Sequence, residues 1–192
     1  MMDGLIGRIG PEDDGESLTF ARPRPGTYGT YYQPYVDLVP DGDMRRLLPV
    51  IFDADFRALR TIPPEQERHR YAAGKWSIRE SVGHMIDTER VFSYRALRVS
   101  RGDTTPLASF DENRFVSGAR YDDIPLEQIL SELMAVHAAT ILLFENMADE
   151  AWDRMGTASD NPISVRALAY LIAGHELHHM NIFKERYGVM DF

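Results

Sequence analysis

The sequence predicts an all-α protein: a four-helix bundle with long crossover connections and an irregular N-terminal arm. Three observations carry this. Four segments of about 20 residues repeat apolar side chains at i, i+3, i+4 spacing, the period of one helix face. Helix-start and helix-stop residues bracket these segments. Alternating strand patterns and closely spaced hairpin signals do not compete with them. The 192 residues suit one domain with an appendage, so the expected division is an arm over 1–40 and a bundle over 41–192.

The arm comes first. Its stretch around Glu12–Glu16 is acidic and contains glycine, which predicts a loose segment. Tyr28, Tyr31, Tyr32 and Tyr35 then crowd among Gly and Pro. Gly and Pro oppose a regular helix. Four tyrosines oppose a solvated linker, because disordered segments are poor in aromatics. The arm is expected to pack on the bundle, either covering apolar surface or lining a pocket or dimer contact.

Asp41 or Asp43 caps the first long helix, whose stripe is Met44, Leu47, Leu48, Ile51, Phe52, Phe56 and Leu59. Pro63 and Pro64 stop it. Ser77 caps the second helix, with Glu80 three residues on as a capping box. Its stripe holds Ile78, Val82, Met85, Ile86, Phe92 and Ala96, and it ends before Gly102. The next connection is long, and SFDENRFVSGA within it suits a short helix. A third long helix begins at Leu126 and reaches about Met147, with His137 on its inward stripe. Gly156 and Asn161–Pro162 break the chain. Ser164 caps the fourth helix, which reaches Tyr187 and stops at Gly188.

Composition narrows the chemistry. Twenty-one Lys+Arg against 30 Asp+Glu give a net charge of -9, which argues against a general nucleic-acid binder. No apolar run is read as a membrane span, and the start does not read as a signal peptide. The cytoplasm is therefore the expected compartment. There are 0 cysteines, which removes disulfides, thiolate catalysis and cysteine-based metal sites together. Any metal must be held by the 6 histidines and the carboxylates.

Two histidines stand out. The inward stripe of the last helix runs Val165, Leu168, Ile172, His175, His179, Ile182. His175 and His179 take positions that apolar residues should fill. At i and i+4 their rings lie on one face and can bind one metal ion. Two core histidines satisfied by neighbours are the alternative. His178 is expected on the flank and His69 on the surface. Periodicity nominates His137 as a third ligand, whereas His84 lies off the centre of its stripe. Glu89 falls within that stripe, and a carboxylate there needs a partner. The letters His175-Glu176-Leu177-His178-His179 also match HExxH, in which Glu176 would be the general base of a peptidase.

GKWSIRESVGHMIDTERVFSYRALRVSRGD, followed far downstream by SVRALAYLIAGHELHHMNIFKERYG, resembles the DinB/YfiT superfamily over about 41–187. The resemblance rests on the Trp76-Ser77 opening, the His84-x-x-Asp87 segment and the terminal His-x3-His. It implies a four-helix bundle and a divalent metal held by His84, His175 and His179, replacing His137 with His84. Asp87, Glu89 and Glu176 become candidates for orienting the imidazoles, and Trp76 is expected to pack.

Three neutral imidazoles suit Zn²⁺, Ni²⁺ or Fe²⁺ and leave an open position. The resemblance thus implies a metal-dependent enzyme acting on a small-molecule substrate, either a hydrolase or a thiol S-transferase. In the latter a low-molecular-weight thiol would be supplied from outside, since the chain has none. A non-catalytic metal-binding stress-response protein is the alternative. Family likeness also implies a homodimer.

Overall fold

Side-chain caps start each of the bundle helices but one. The computed structural model describes residues 22–189, so the loose stretch expected around Glu12–Glu16 lies outside the described residues. The arm carries a 3₁₀ turn at Thr30–Tyr32 and a short helix, α1 (Gln33–Leu38), and is less irregular than expected. Pro34 explains this. At a helix start its fixed φ is already helical, and its missing N–H has no helical partner to lose.

The first long helix is α2 (Met44–Leu59), where the Asp43 carboxylate accepts from the Arg45 amide. The second is α3 (Ile78–Ser100). Ser77 Oγ accepts from the Glu80 amide while the Glu80 carboxylate accepts from the Ser77 amide, so the expected capping box forms. The short helix in the long connection is α4 (Glu112–Ala119), capped by Asp111. α5 (Leu126–Glu145) follows Pro125 without a side-chain cap. α6 (Val165–Ile182) is capped by Ser164, continues as a π turn over Phe183–Tyr187, and stops at Gly188, whose φ of 64° suits glycine.

One element was not expected. β1 (Met155–Ala158) and β2 (Asn161–Ser164) form an antiparallel hairpin in the stretch read as a break. Ser159 and Asp160 turn it, with φ of 50° and 60°. Positive φ at both central residues matches the twist of the strands. Without the usual Asn-Gly pair, and with strands of four residues, the sequence pattern was too short to read.

The four long helices close a ring in which α3 packs on α6 and α5, and α2 packs on α5 and α6. Helices adjacent in sequence, α2 with α3 and α5 with α6, are diagonal rather than adjacent. This arrangement requires the long crossovers. α1 lies against α6, which is therefore covered on three sides. That is why α6 is buried almost all round from Val165 to Glu176, well beyond a single stripe. By composition α5 is long and apolar enough to cross a membrane. Here its Leu126, Ile129, Leu130, Leu133 and Phe144 face the bundle.

The apolar core is two clusters rather than one. One includes Phe52, Phe92, Phe144 and Leu168; the other includes Leu59, Ile86, Leu133 and Phe183. Between them along the helices lie Asp55, Glu89, His137, and the segment His175–His179. A polar layer crosses the bundle at mid-height.

Candidate metal centre

α3 and α6 bring three histidines together. His84 Nε2 lies 3.0 Å from His175 Nε2, and His179 Nε2 lies 3.2 Å from the same atom. The i, i+4 spacing stacks His175 and His179 on one face of α6, and the α3–α6 packing presents His84 to them. All three are nearly buried, at 6 %, 9 % and 7 % exposure.

A glycine precedes His84 and another precedes His175, and both are required by close packing. A Cβ at Gly83 would stand 2.3 Å from the Tyr121 ring; one at Gly174 would stand 2.1 Å from the Tyr35 carbonyl oxygen. Absence of a side chain at Gly174 lets α1 lie directly on α6 beside His175. Tyr35 then reaches both His175 and His178, with ring centroids 5.8 and 5.2 Å away.

Burial holds these imidazoles neutral, the state that binds metal. Burial, and then the neighbouring His178, lowers His84 to about 4. His175 and His179 are held well below the ordinary value, first by burial and then by the other histidines. The His84 Nδ1 atom lies 3.4 Å from Thr88 Oγ1. With the proton on Nδ1, the Nε2 lone pair faces the other two rings. Three nitrogen atoms on one tetrahedral ion, at metal–nitrogen bonds of about 2.0–2.1 Å, stand about 3.3 Å apart. The observed spacing fits that set.

The three rings border a cavity of about 430 Å³, a size suited to a small ligand. Tyr31, Tyr32 and Tyr35 of the arm form one wall, and Trp76, Phe92 and Phe110 form another. Lys75, Glu112, Asn113 and Ser159 add polar groups. The tyrosine arm thus both covers the bundle and lines the pocket. Burial, and then Tyr31, raises the Tyr35 hydroxyl to about 12, so it stays protonated and able to donate. Trp76 packs on His84 with ring centroids 4.7 Å apart, and it also borders the cavity. His178 lies at the cavity edge, half-buried, and His69 is exposed.

The carboxylates expected beside the imidazoles have their partners elsewhere. Asp87 interacts with Tyr121 and Arg90. Glu89 Oε2 lies 2.8 Å from His137 Nδ1. Glu176 Oε1 lies 3.2 Å from His137 Nε2, without alignment for a hydrogen bond. His137 is buried at 4 %, as its stripe predicted, and stacks on Phe52 at 3.8 Å. It meets two carboxylates rather than the other histidines. Glu176 follows His175 by a single residue, about 100° around the helix. It therefore points into the bundle and is absent from the pocket wall, where a peptidase general base would have to be.

Comparison with known proteins bears on this arrangement. The family model of the DinB superfamily matches residues 54–183, well over half of the chain. The chain belongs to the DinB superfamily. A protein of Oceanobacillus iheyensis, provisionally named as a metal-dependent hydrolase, is 24% identical over 124 residues, covering 64% of this chain and 70% of its own. Among solved structures, YfiT from Bacillus subtilis, described as having an unusual four-helix bundle topology, superposes with a TM-score of 0.61 at 17% identity. That match covers 90% of this DinB-superfamily chain and 98% of YfiT. A mycothiol-dependent maleylpyruvate isomerase superposes at 0.60 with 10% identity, over 82% of this chain and 65% of the isomerase. The DinB-like protein YjoA of Bacillus subtilis gives 0.55 at 17% identity, over 78% and 96%. These likenesses support the shared fold.

Sequence reasoning missed Asp55. It is buried at 8 % on α2 beside His137 and Glu176. Its signal was present: Asp55 is four residues from Ile51 and Leu59, on the apolar face of α2.

Proposed function

We propose that this chain is a metal-dependent enzyme of the hydrolase type, with His84, His175 and His179 holding one divalent ion. The observation that carries the reading is the convergence of three Nε2 atoms on the border of a roomy aromatic-walled cavity. A purely structural metal would be closed off by protein, whereas these rings border open space. The name of the Oceanobacillus iheyensis relative supports the same class. When bound, the ion supplies Lewis acidity, acidifying the water or thiol that reaches it.

The chain's own residues do the remaining work. Thr88 Oγ1 lies 3.4 Å from His84 Nδ1, and accepting from Nδ1–H there would fix the tautomer that leaves Nε2 free. Tyr32 and Phe92, in edge contact at 6.1 Å, exclude water from the apolar side of a substrate. The Tyr35 hydroxyl, neutral at ordinary pH, offers a hydrogen bond to an oxygen of the substrate. Lys75 and Asn113 orient polar substrate groups at the rim.

Metal analysis tests the site. His84→Ala and His179→Ala are each expected to lose bound metal while retaining the helical far-UV spectrum. Full metal content in both variants would overturn the ligand assignment. Turnover of an ester and amide panel should disappear on chelation and return with Zn²⁺, Ni²⁺ or Fe²⁺. Consumption of an added low-molecular-weight thiol without hydrolysis would instead select the S-transferase reading.

We also propose a homodimer. Support comes from the outer face of α5, where Met134, Ala135, Ala138, Ala139 and Leu142 form an exposed apolar stripe. Light scattering is expected to give twice the chain mass. Met134→Glu with Leu142→Glu should return it to the monomer, and a monomeric wild type would remove this proposal.

A further inference from the structure

Part of the polar layer at mid-height of the bundle is unexplained by the three-histidine centre. Each long helix contributes one ionisable residue to that part: Asp55 from α2, Glu89 from α3, His137 from α5 and Glu176 from α6. Exposures are 8 %, 4 %, 4 % and 3 %. Among the described residues, six buried side-chain polar atoms lack a hydrogen-bond partner. Four of the six belong to this layer, one from each residue: Asp55 Oδ2, Glu89 Oε1, His137 Nε2 and Glu176 Oε1. His137 Nε2 and Glu176 Oε1 face each other at 3.2 Å without hydrogen-bond alignment, and Asp55 Oδ2 and Glu89 Oε1 have no partner; buried polar atoms are nearly always paired, so the cluster needs an explanation.

We propose that Asp55, Glu89, His137 and Glu176 form a second metal site, separate from the three-histidine centre, for a divalent ion that takes carboxylate oxygens with one imidazole. Mn²⁺, Fe²⁺ and Zn²⁺ have this preference.

Three physical points support it. First, the donor set is assembled. Glu89, His137 and Glu176 each offer a ligand atom within 4.8 Å of the others. Small side-chain rotations contract that to the roughly 3.3–3.6 Å spacing of a tetrahedral ion. Asp55, on the remaining helix, lies outside that 4.8 Å set but close enough to interact with Glu176 and His137, so it would have to swing in to become a fourth donor. Facing side chains in a bundle core are where such carboxylate–histidine sites are built.

Second, the charge is unbalanced without a cation. Three carboxylates face one imidazole between two apolar clusters, and burying unpaired charge is costly.

Third, a void of about 10 Å³, near the size of one water, lies beside Glu89 and Glu176, though Asp55 and His137 do not line it. His175, Thr88 and Phe92 border both this void and the large cavity.

The test is metal stoichiometry by equilibrium dialysis against Zn²⁺ and, separately, Mn²⁺. Four proteins are compared: wild type, the double variant His84→Ala/His179→Ala, the double variant Asp55→Asn/Glu89→Gln, and the four combined. Two equivalents are expected in wild type, one in each double variant and none in the combination. One equivalent in wild type, lost in the histidine variant and kept in the carboxylate variant, overturns the second site and leaves the proposed enzyme centre standing. The reverse pattern keeps the second site and overturns the three-histidine reading. If a variant fails to fold by far-UV circular dichroism, wild-type stoichiometry decides: a single equivalent overturns the proposal, because both sites are then not filled together.

Discussion

Gly174→Ala should destabilise the protein and disturb the pocket, although alanine is the better helix former. Alanine would improve helix propensity by about 1 kcal/mol. Against this, its Cβ would stand 2.1 Å from the Tyr35 carbonyl oxygen and 2.6 Å from its carbonyl carbon. Those are backbone atoms and cannot rotate away. α1 must lift off α6 until ordinary contact is restored, and overpacking of this kind costs about 1–3 kcal/mol, occasionally more. Because the clash is with backbone the upper end of that range applies, and the net loss approaches about 2 kcal/mol, which at this chain length lowers Tm by about 4–8 °C. The displacement also carries Tyr35 and its neighbours away from the pocket, so KM should rise more than kcat falls. Zinc stoichiometry should stay at the wild-type value, because the three histidines proposed as ligands lie on α3 and α6. A melting temperature equal to or above wild type would show that α1 does not rest on Gly174.

Asp55→Asn should become stabilising as pH rises in the metal-free protein. Buried among Glu176 and His137, Asp55 is held protonated up to about 8 in the folded chain, against 3.8 as its ordinary value. A carboxyl whose folded value is raised contributes stability that is fully present below the unfolded value. That stability is lost as pH rises through the folded value. At pH 4, therefore, Asp and Asn are nearly equivalent neutral groups of the same shape. Between pH 4 and 8 the wild type loses up to ~5 kcal/mol relative to the variant, at about 1.4 kcal/mol for each pH unit. Urea-unfolding midpoints of the two chelated proteins at pH 4.5, 6 and 8 measure this. A difference that stays constant with pH would mean that Asp55 ionises freely. If Asp55 joins the proposed second metal site, the sign should reverse when metal is restored.

Much of the fold was legible because helix signals are local. Ser77 with Glu80, Asp43, Ser164 and Gly188 act within a turn of themselves, and each sits where its helix begins or ends. The hairpin was not legible. Its strands are four residues long, and Leu107, far away in sequence, pairs beside Ala158. α1 was missed for a related reason: six residues rich in aromatics make too short a pattern, and the helix is held by its contact with α6.

The centre shows the same division. His175 and His179 were readable because one helix sets their spacing. His84 was not, since the turn of α3 toward α6 is a matter of packing; resemblance alone nominated it. His137 was legible as a buried group and Glu89 as a carboxylate in need of a partner. That they partner each other at 2.8 Å could not be read, because helices α3 and α5 set that distance.

The sequence by itself determined where the long helices start and stop, which faces they bury, and that imidazole and carboxylate are the available ligands. Those properties arise within a few residues along one chain. Only the tertiary structure decided which histidines share a centre, what wall the tyrosines form, and that one ionisable side chain from each long helix meets in the core. Such meetings depend on the order of helices around the bundle and on close approaches such as α1 on Gly174. They are set by packing between segments up to a hundred residues apart, which no local pattern records.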